Sequence, residues 1–238
     1  MSPNDAKNQT FSVKDCALAA IATGRMAQNA RELREILITI PADSIYYHFW
    51  GMLLRPGFAD PAYNNDFAVW VSRELGDNVL AEKLGIIDPT DYEDLESLRQ
   101  DIIDIIEERL SEQEHIPWSA GNRQFHFIRS QIVIFDTHRH IDDPAELAPA
   151  VSSMSPGSIF YHFIDARRRI SSGTDDFRAW LAGYGERYEE LCNCIATVDP
   201  YFGTLLDIRE ELALILKEFF DGEGRPCEAQ AVPPSKSL

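Results

Sequence analysis

The chain has 238 residues with a formal charge of −17, and 45% of them are apolar, as in a globular protein with a core. The acidic charge argues against nucleic acid and anionic membranes as partners. No apolar run reaches the roughly 18 residues of a membrane helix. The first residues lack the pattern of a signal peptide, so we expect a cytoplasmic protein.

Two stretches of the chain match each other. Residues 11–49 align with 125–163 without a gap, and ten of the 39 positions are identical, against about two expected by chance. This match predicts two duplicated units of about 100 residues, related by a pseudo-two-fold axis. The predicted organisation is a disordered N-terminus at 1–10, a first repeat unit at 11–114, a linker at 115–124, a second repeat unit at 125–221 and a flexible tail at 222–238.

In chain order, the first candidate element is the apolar run Cys16–Ala22, which fits a helix or a strand. Its aligned counterpart, residues 130–135, is rich in β-branched residues and favours a strand. Because aligned residues of a duplication share a fold, we expect one short strand from each unit.

The other predicted elements are helices, so we expect a mainly α fold. Asn29 is a candidate N-cap, and Glu32, three residues later, completes a capping box for a helix over residues 30–40. In the second half, Asp143 and Pro144 mark a similar start. Apolar residues at helical spacing predict further helices at 42–54, 65–75, 91–113 and along the apolar stripe from Leu205 to Leu216.

One candidate site occurs in both halves. A carboxylate that hydrogen-bonds a histidine commonly orients the imidazole to act as a general base or a metal ligand. Neighbouring aromatic rings can stack against a bound ligand. The alternative is structural. The histidine would then be a core residue whose ring nitrogens have hydrogen-bond partners, and the carboxylate would stabilise the N-terminus of a helix. The predicted ligand-binding residues are Tyr47, His48, Asp66 and Trp70, and their counterparts Tyr161, His162, Asp176 and Trp180.

A second candidate site is a metal site at Asp136, His138 and His140. The segment resembles the strand-end H-x-H metal motif of amidohydrolases. That resemblance implies an eight-fold barrel of about 250 residues, and only about 100 residues follow the motif here. We therefore expect no cofactor, with a divalent metal held locally by these residues as the alternative.

A third candidate is the pair Arg25 and Arg139, each two residues after a threonine in both halves. One interpretation is an anion site at the N-terminus of the following helix. The other is an ion pair with acidic residues of the neighbouring unit.

The segments S-I-Y-Y-H-F-W at 44–50 and N-D-F-A-V-W at 65–70 resemble a prokaryotic family of uncharacterised proteins. The resemblance covers most of residues 11–221 and implies no activity.

We therefore expect a binding or regulatory module with one aromatic, His and Asp cluster per unit. The alternative is a hydrolase or transferase that acts on a small polar substrate through a His–Asp pair, with or without a metal. The small-molecule or protein partner is unknown from the sequence, and a homodimer through the long terminal helices is a further alternative.

Overall fold

The computed structural model describes residues 10–55, 63–112, 123–201 and 203–222. The predicted N-terminal segment, linker and tail lie almost entirely outside these residues. Two strands are present, β1 (Phe11–Ala27) and β2 (Phe125–Ile141). The α-helices are α1 (Ala30–Leu37), α2 (Ala42–Trp50), α3 (Asp66–Trp70), α4 (Asn78–Gly85), α5 (Leu95–Glu112), α6 (Leu147–Ser152), α7 (Pro156–Ile159), α8 (Ala166–Arg169), α9 (Asp176–Ala182), α10 (Glu189–Ala196) and α11 (Leu205–Phe220).

The predicted helices are confirmed, with adjusted ends. A 3₁₀ turn, Gly51–Leu54, continues α2, and a π-helical turn, Val71–Leu75, continues α3. Together these give the helical stretches expected at 42–54 and 65–75. A second π-helical turn, Phe160–Asp165, joins α7 to α8. None of the described helices is long and apolar enough to cross a membrane.

The two strands form one antiparallel sheet. The hydroxyl of Thr23 donates to the carbonyl of Phe127 at 2.7 Å, and the hydroxyl of Thr137 donates to the carbonyl of Val13 at 2.5 Å. These contacts set a register in which the middle of β1 lies beside the middle of β2. Each strand has 17 residues, so a fully extended strand would be about 55 Å long.

The predicted architecture of two duplicated helical units related by a pseudo-two-fold axis is wrong. The protein is mainly helical, but its strands are long and form a single two-stranded sheet, and the described residues give no evidence for that symmetry. The physical reason is that the matching segments are short. They determine local contacts around a few side chains, and such contacts do not require two equivalent units.

By their contacts, the residues divide into two compact units. The first unit contains residues up to Asp15 and from Phe135 onward, and the second contains Cys16–Ile134. Each strand therefore contributes residues to both units. The boundaries predicted at 11–114 and 125–221 stay a prediction.

Each unit has its own core around one long helix. In the second unit, α5 packs against α1, α2 and α4. In the first unit, α11 packs against α6, α7 and α10. The apolar residues of the two long helices that were predicted to form a stripe are largely buried, namely Leu98, Ile102 and Ile106 in α5 and Leu205, Ile208, Leu212 and Leu216 in α11.

Helix starts follow the side-chain chemistry seen in the sequence. Asn29 accepts a hydrogen bond from the backbone N–H of Glu32 at 2.9 Å, which confirms the predicted N-cap. The Glu32 carboxylate accepts from the backbone N–H of Gln28, one residue before the cap. In the second half, Asp143 accepts from the N–H of Ala145, but the element that it starts is a short 3₁₀ turn that leads into α6.

A buried ion pair stabilises the second unit. Asp77 caps α4 by accepting from the N–H of Leu80 at 3.1 Å, and it also accepts from the Nε of Arg109 in α5 at 2.9 Å. Both residues are less than 10% exposed. Removal of Arg109 leaves the buried carboxylate of Asp77 without this cation, whereas Arg109 also donates from Nη1 to Glu112 at 3.0 Å.

We expect Asp77→Ala to lower the free energy of unfolding by about 3 kcal/mol, because the buried Arg109 loses the carboxylate that accepts from its Nε and Nη2 and α4 loses its N-cap. Urea denaturation of the full chain measures this change. The exposed pair of Arg34 and Glu107 is the matched control, and Glu107→Gln should cost less than about 1 kcal/mol. Equal losses in the two variants would contradict this account.

Candidate functional site

The first cluster consists of Tyr47, His48, Arg55 and Asp66, and it lies within the second unit. His48 is 2% exposed. Its Nδ1 lies 2.8 Å from the Oδ2 of Asp66, and its Nε2 accepts the backbone N–H of Ile128 in β2 at 3.1 Å. Both ring nitrogens are therefore occupied by partners inside the protein.

These partners determine the protonation state of His48. Since Nε2 faces an N–H donor, it must act as an acceptor and carry no proton. The remaining ring proton then resides on Nδ1 and is donated to Asp66. His48 is consequently a neutral residue that connects α2 to the outer edge of β2.

The electrostatics of the first cluster agree with this state. Burial lowers the pKa of His48 below its usual value of 6.5, and the hydrogen bond with Asp66 only partly opposes this effect. The rings of Phe67 and Phe125, 5.2 and 4.7 Å from the imidazole, supply the apolar surroundings. Burial also acts against the ionised form of Asp66, but its contacts with His48 and Arg55 prevail and lower its pKa.

The second cluster consists of Tyr161, His162, Arg169 and Asp176, and it lies within the first unit. The Nδ1 of His162 lies 2.7 Å from the Oδ2 of Asp176, and its Nε2 accepts the backbone N–H of Lys14 in β1 at 2.8 Å. His162 is also 2% exposed. The same chemistry thus connects a helix to a strand edge in each unit.

Sequence reasoning missed the arginine of each cluster. Arg55 donates from Nη2 to Asp66 at 2.7 Å, and Arg169 donates from Nη2 to Asp176 at 3.0 Å. Each guanidinium lies over a tyrosine ring of its cluster, Arg55 over Tyr47 at 5.1 Å and Arg169 over Tyr161 at 3.9 Å. The two arginines are 114 positions apart, as the two histidines are, so an extension of the alignment would have found them.

The remaining predicted cluster residues lie nearby as packing groups. Trp70 donates from its indole N–H to the carbonyl of Arg123 at 2.8 Å and packs edge-on against Phe125. Trp180 packs against the ring of Phe11 at 5.4 Å. Their predicted role in ligand binding stays a prediction.

Arg25 and Arg139 follow a left-handed residue in each strand. Gly24 has φ of 74° and His138 has φ of 57°. In both places the preceding threonine hydroxyl accepts the N–H of the arginine, at 3.1 Å for Arg25 and 3.3 Å for Arg139. The Arg139 side chain donates to Ser153 at 3.0 Å. The threonines therefore have a structural role, and the anion site at these arginines stays a prediction.

The predicted metal residues lie at the exposed end of β2. Asp136 accepts the backbone N–H of His138 at 2.9 Å and pairs with Lys14 at 3.0 Å. The His138 side chain is 87% exposed, and its Nδ1 lies 3.9 Å from Asp136. Within residues 10–55, 63–112, 123–201 and 203–222, no group of three His, Cys, Asp or Glu residues is arranged to hold a metal ion. A local metal site here stays a prediction.

A surface depression of about 440 Å³ lies in the first unit, apart from both clusters. It contains none of the predicted site residues. Its polar lining comes from Ser172, Thr174, Arg178, Cys192 and Asn193.

These features define a mainly helical protein whose helices are connected to a long two-stranded ribbon by buried histidines. A family model described as a family of unknown function, DUF5752, matches residues 8–217, and the chain belongs to that family. This confirms the resemblance noted in the sequence. The solved structure entitled "The structure of OrfY from Thermoproteus tenax" is similar in fold, with 24% identity and a TM-score of 0.74 over 88% of this chain and 95% of that chain. No curated protein matches the chain significantly.

We expect the stability of the protein to fall as the pH drops below about 6.5. In that range the unfolded chain binds a proton at residue 48 before the folded chain does, because the folded pKa of His48 is lowered. The contribution of neutral His48 to the free energy of unfolding is therefore fully present above about pH 6.5 and is lost as the pH falls. Asp66, whose pKa is also lowered from a value near 3.8, loses its contribution only at lower pH.

Urea denaturation between about pH 5 and pH 7.5 measures this dependence. His48→Gln should flatten the slope of unfolding free energy against pH, whatever its effect on absolute stability. The exposed residue His126 provides the control, and His126→Gln should keep the wild-type slope. A slope that His48→Gln leaves unchanged would show that His48 is not held neutral.

The left-handed positions of the strands predict opposite effects of two substitutions. Gly24→Ala should destabilise the protein by about 1 kcal/mol, because a side chain in this conformation costs about 1–2 kcal/mol, partly offset by the smaller entropy of the unfolded chain. His138→Gly should stabilise it by about 0.5 kcal/mol for the same reasons. His140→Gly, at a position outside the left-handed region, is the control and should destabilise. Thermal denaturation measures all three, and destabilisation by His138→Gly would contradict the strain argument.

Proposed function

We propose that this chain is a non-catalytic binding or regulatory protein in which the buried histidines support the structure and the neighbouring arginines contact the ligand. The observation that carries this proposal is the full use of the histidine nitrogens. A general base must present a free nitrogen to its substrate. In both clusters, Nε2 accepts a backbone N–H and Nδ1 contacts a carboxylate.

The part of each cluster that faces solvent is its arginine. The side chain of Arg55 is 45% exposed and that of Arg169 is 30% exposed. Arg55 donates from Nε to the carbonyl of Gly51 and from Nη2 to Asp66. Arg169 donates from Nε to Asp165. In the part of the chain that the structure describes, the Nη1 of each arginine has no hydrogen-bond partner.

This arrangement favours a ligand with a carboxylate or phosphate group. A guanidinium held over a tyrosine ring and tied at two nitrogens is ordered before the ligand arrives, which reduces the entropy lost on binding. Its remaining N–H groups match the geometry of an oxyanion. The overall charge of −17 supports a small anion rather than nucleic acid or an anionic membrane, since large polyanions are repelled by the whole surface.

The alternative of a hydrolase or transferase has less support from the same geometry. It requires His48 or His162 to release its strand amide and turn toward a substrate. That movement would leave a buried N–H without a partner, at a cost of about 1–3 kcal/mol.

Thermal-shift measurements with inorganic phosphate and with citrate test the proposal. We expect a saturable rise in stability, about 2.7 kcal/mol when the free anion is at 100 times its Kd. The double variant Arg55→Gln/Arg169→Gln should lose this rise because the contact groups are gone.

Two controls make the result specific. Sodium chloride at equal ionic strength should give no saturable effect. The double variant Arg25→Gln/Arg139→Gln, which removes the other arginine pair, should keep the wild-type response. Loss of the response in this second variant, or no response to either anion in the wild type, would overturn the proposed binding site.

A further inference from the structure

The two arginines that reach solvent differ in how many of their guanidinium hydrogens are already used. A guanidinium carries N–H donors on Nε and on both Nη atoms, and each Nη has a pair of hydrogens. Arg55 donates from Nε to the carbonyl of Gly51 at 3.3 Å and from Nη2 to Asp66 at 2.7 Å. Among the described residues Arg55 has no other acceptor, so hydrogens remain available on both Nη1 and Nη2.

Arg169 has fewer hydrogens available. Its Nε donates to Asp165 at 2.9 Å. Its Nη2 donates both to the carbonyl of Tyr161 at 2.8 Å and to Asp176 at 3.0 Å, so both hydrogens of Nη2 are used. Within the described part of the chain, Nη1 is therefore the one nitrogen of Arg169 that has no acceptor.

This difference determines how each arginine can bind an oxyanion. In the strong contact between a guanidinium and a carboxylate or phosphate, two nitrogens donate in parallel to two oxygens of the same group. Arg55 has free hydrogens on two nitrogens, whereas Arg169 has them on one. The first cluster can therefore form the contact with two hydrogen bonds, and the second cluster offers a single nitrogen.

The carboxylates near the two guanidiniums favour the same cluster. Among the described residues, Arg55 contacts a single carboxylate, whereas Arg169 contacts those of Asp165 and Asp176. The neighbouring Arg168 is itself paired with Asp165 at 3.0 Å. An anion that approaches Arg169 consequently meets repulsion from two carboxylates, and one that approaches Arg55 meets repulsion from one.

The difference between the clusters originates at one position of the alignment. Gly51 and Asp165 are 114 residues apart, so they correspond to each other. Residue 51 has no side chain and offers Arg55 its carbonyl, whereas the carboxylate of Asp165 binds the Nε of Arg169. A Cβ at residue 51 would lie 3.1 Å from the Cδ2 of Tyr47, so a side chain there would press on the ring over which Arg55 lies. Gly51 is therefore a positioning residue of the first cluster.

We propose that the first cluster is the tighter of the two anion sites, and that Arg55 binds the anion through two nitrogens. This inference rests on the proposed function, and it adds which cluster binds more strongly and what the ligand must present. The ligand must carry two oxygens on one atom, so a carboxylate or a phosphoryl group fits and a halide ion does not.

Thermal-shift titration of the full chain with inorganic phosphate, at constant ionic strength, tests this proposal. Arg55→Lys should raise the Kd for phosphate at least about tenfold, because an ammonium keeps the charge but lacks the planar pair of donors. Arg55→Gln, which also removes the charge, should weaken binding at least as much. Arg169→Lys should raise the Kd about threefold or less, because this residue offers the anion one nitrogen.

Arg187 provides a matched control outside both clusters. It is exposed, and its guanidinium lies 5.1–5.2 Å from a tyrosine ring, as that of Arg55 does, with Tyr188 as its partner. Arg187→Lys should keep the wild-type Kd. The thermal unfolding midpoint of each variant without phosphate shows whether it is folded.

The possible results separate this inference from the proposed function. Equal losses in Arg55→Lys and Arg169→Lys, or a larger loss in Arg169→Lys, would overturn the ranking of the clusters while anion binding itself stands. A wild-type Kd in Arg55→Lys would show that charge alone is sufficient and would overturn the contact through two nitrogens. A wild type that does not respond to phosphate would instead overturn the proposed function, and this inference with it.

Discussion

The structure depends on one interaction, a buried neutral imidazole that accepts a backbone N–H from the outer edge of a strand. His48 does this for β2 and His162 for β1. A strand edge covered by helices would otherwise bury an amide without a partner, at a cost of about 1–3 kcal/mol. This requirement fixes the tautomer of each ring, whose other nitrogen meets a carboxylate that also accepts from an arginine.

This constraint also separates structural residues from accessible ones. The imidazoles are sealed, and the carboxylates are about one-fifth exposed, whereas Arg55 and Arg169 reach solvent. In each cluster the histidine is buried and the carboxylate is bound by both the histidine and the arginine. The arginine is therefore the member of the cluster that another molecule can contact. The interaction that stabilises each unit therefore also orients the group with which a ligand would make contact.

Local features were predictable from the sequence, whereas long-range ones were not. The cap at Asn29 and the helix at 42–54 depend on neighbouring residues, and the pairing of His48 with Asp66 follows from two matched motifs. The acceptor role of the histidine was not predictable, because its donor is a backbone amide 80 positions away and every residue except proline has one. The strands were predicted too short, since polar ends such as Lys14 and Asp15 conceal the extent of the apolar centre. The predicted symmetry failed because matched side chains define local contacts and not whole units.

The wide separation of the two strands in the sequence has a consequence for synthesis. β1 ends at Ala27 and β2 begins at Phe125, so β1 emerges from the ribosome long before its partner exists. At about 5–20 residues per second, the nascent β1 remains unpaired for roughly 5–20 seconds. Sheets that join distant segments also fold slowly. The sheet can therefore form only after most of the second unit has been synthesised.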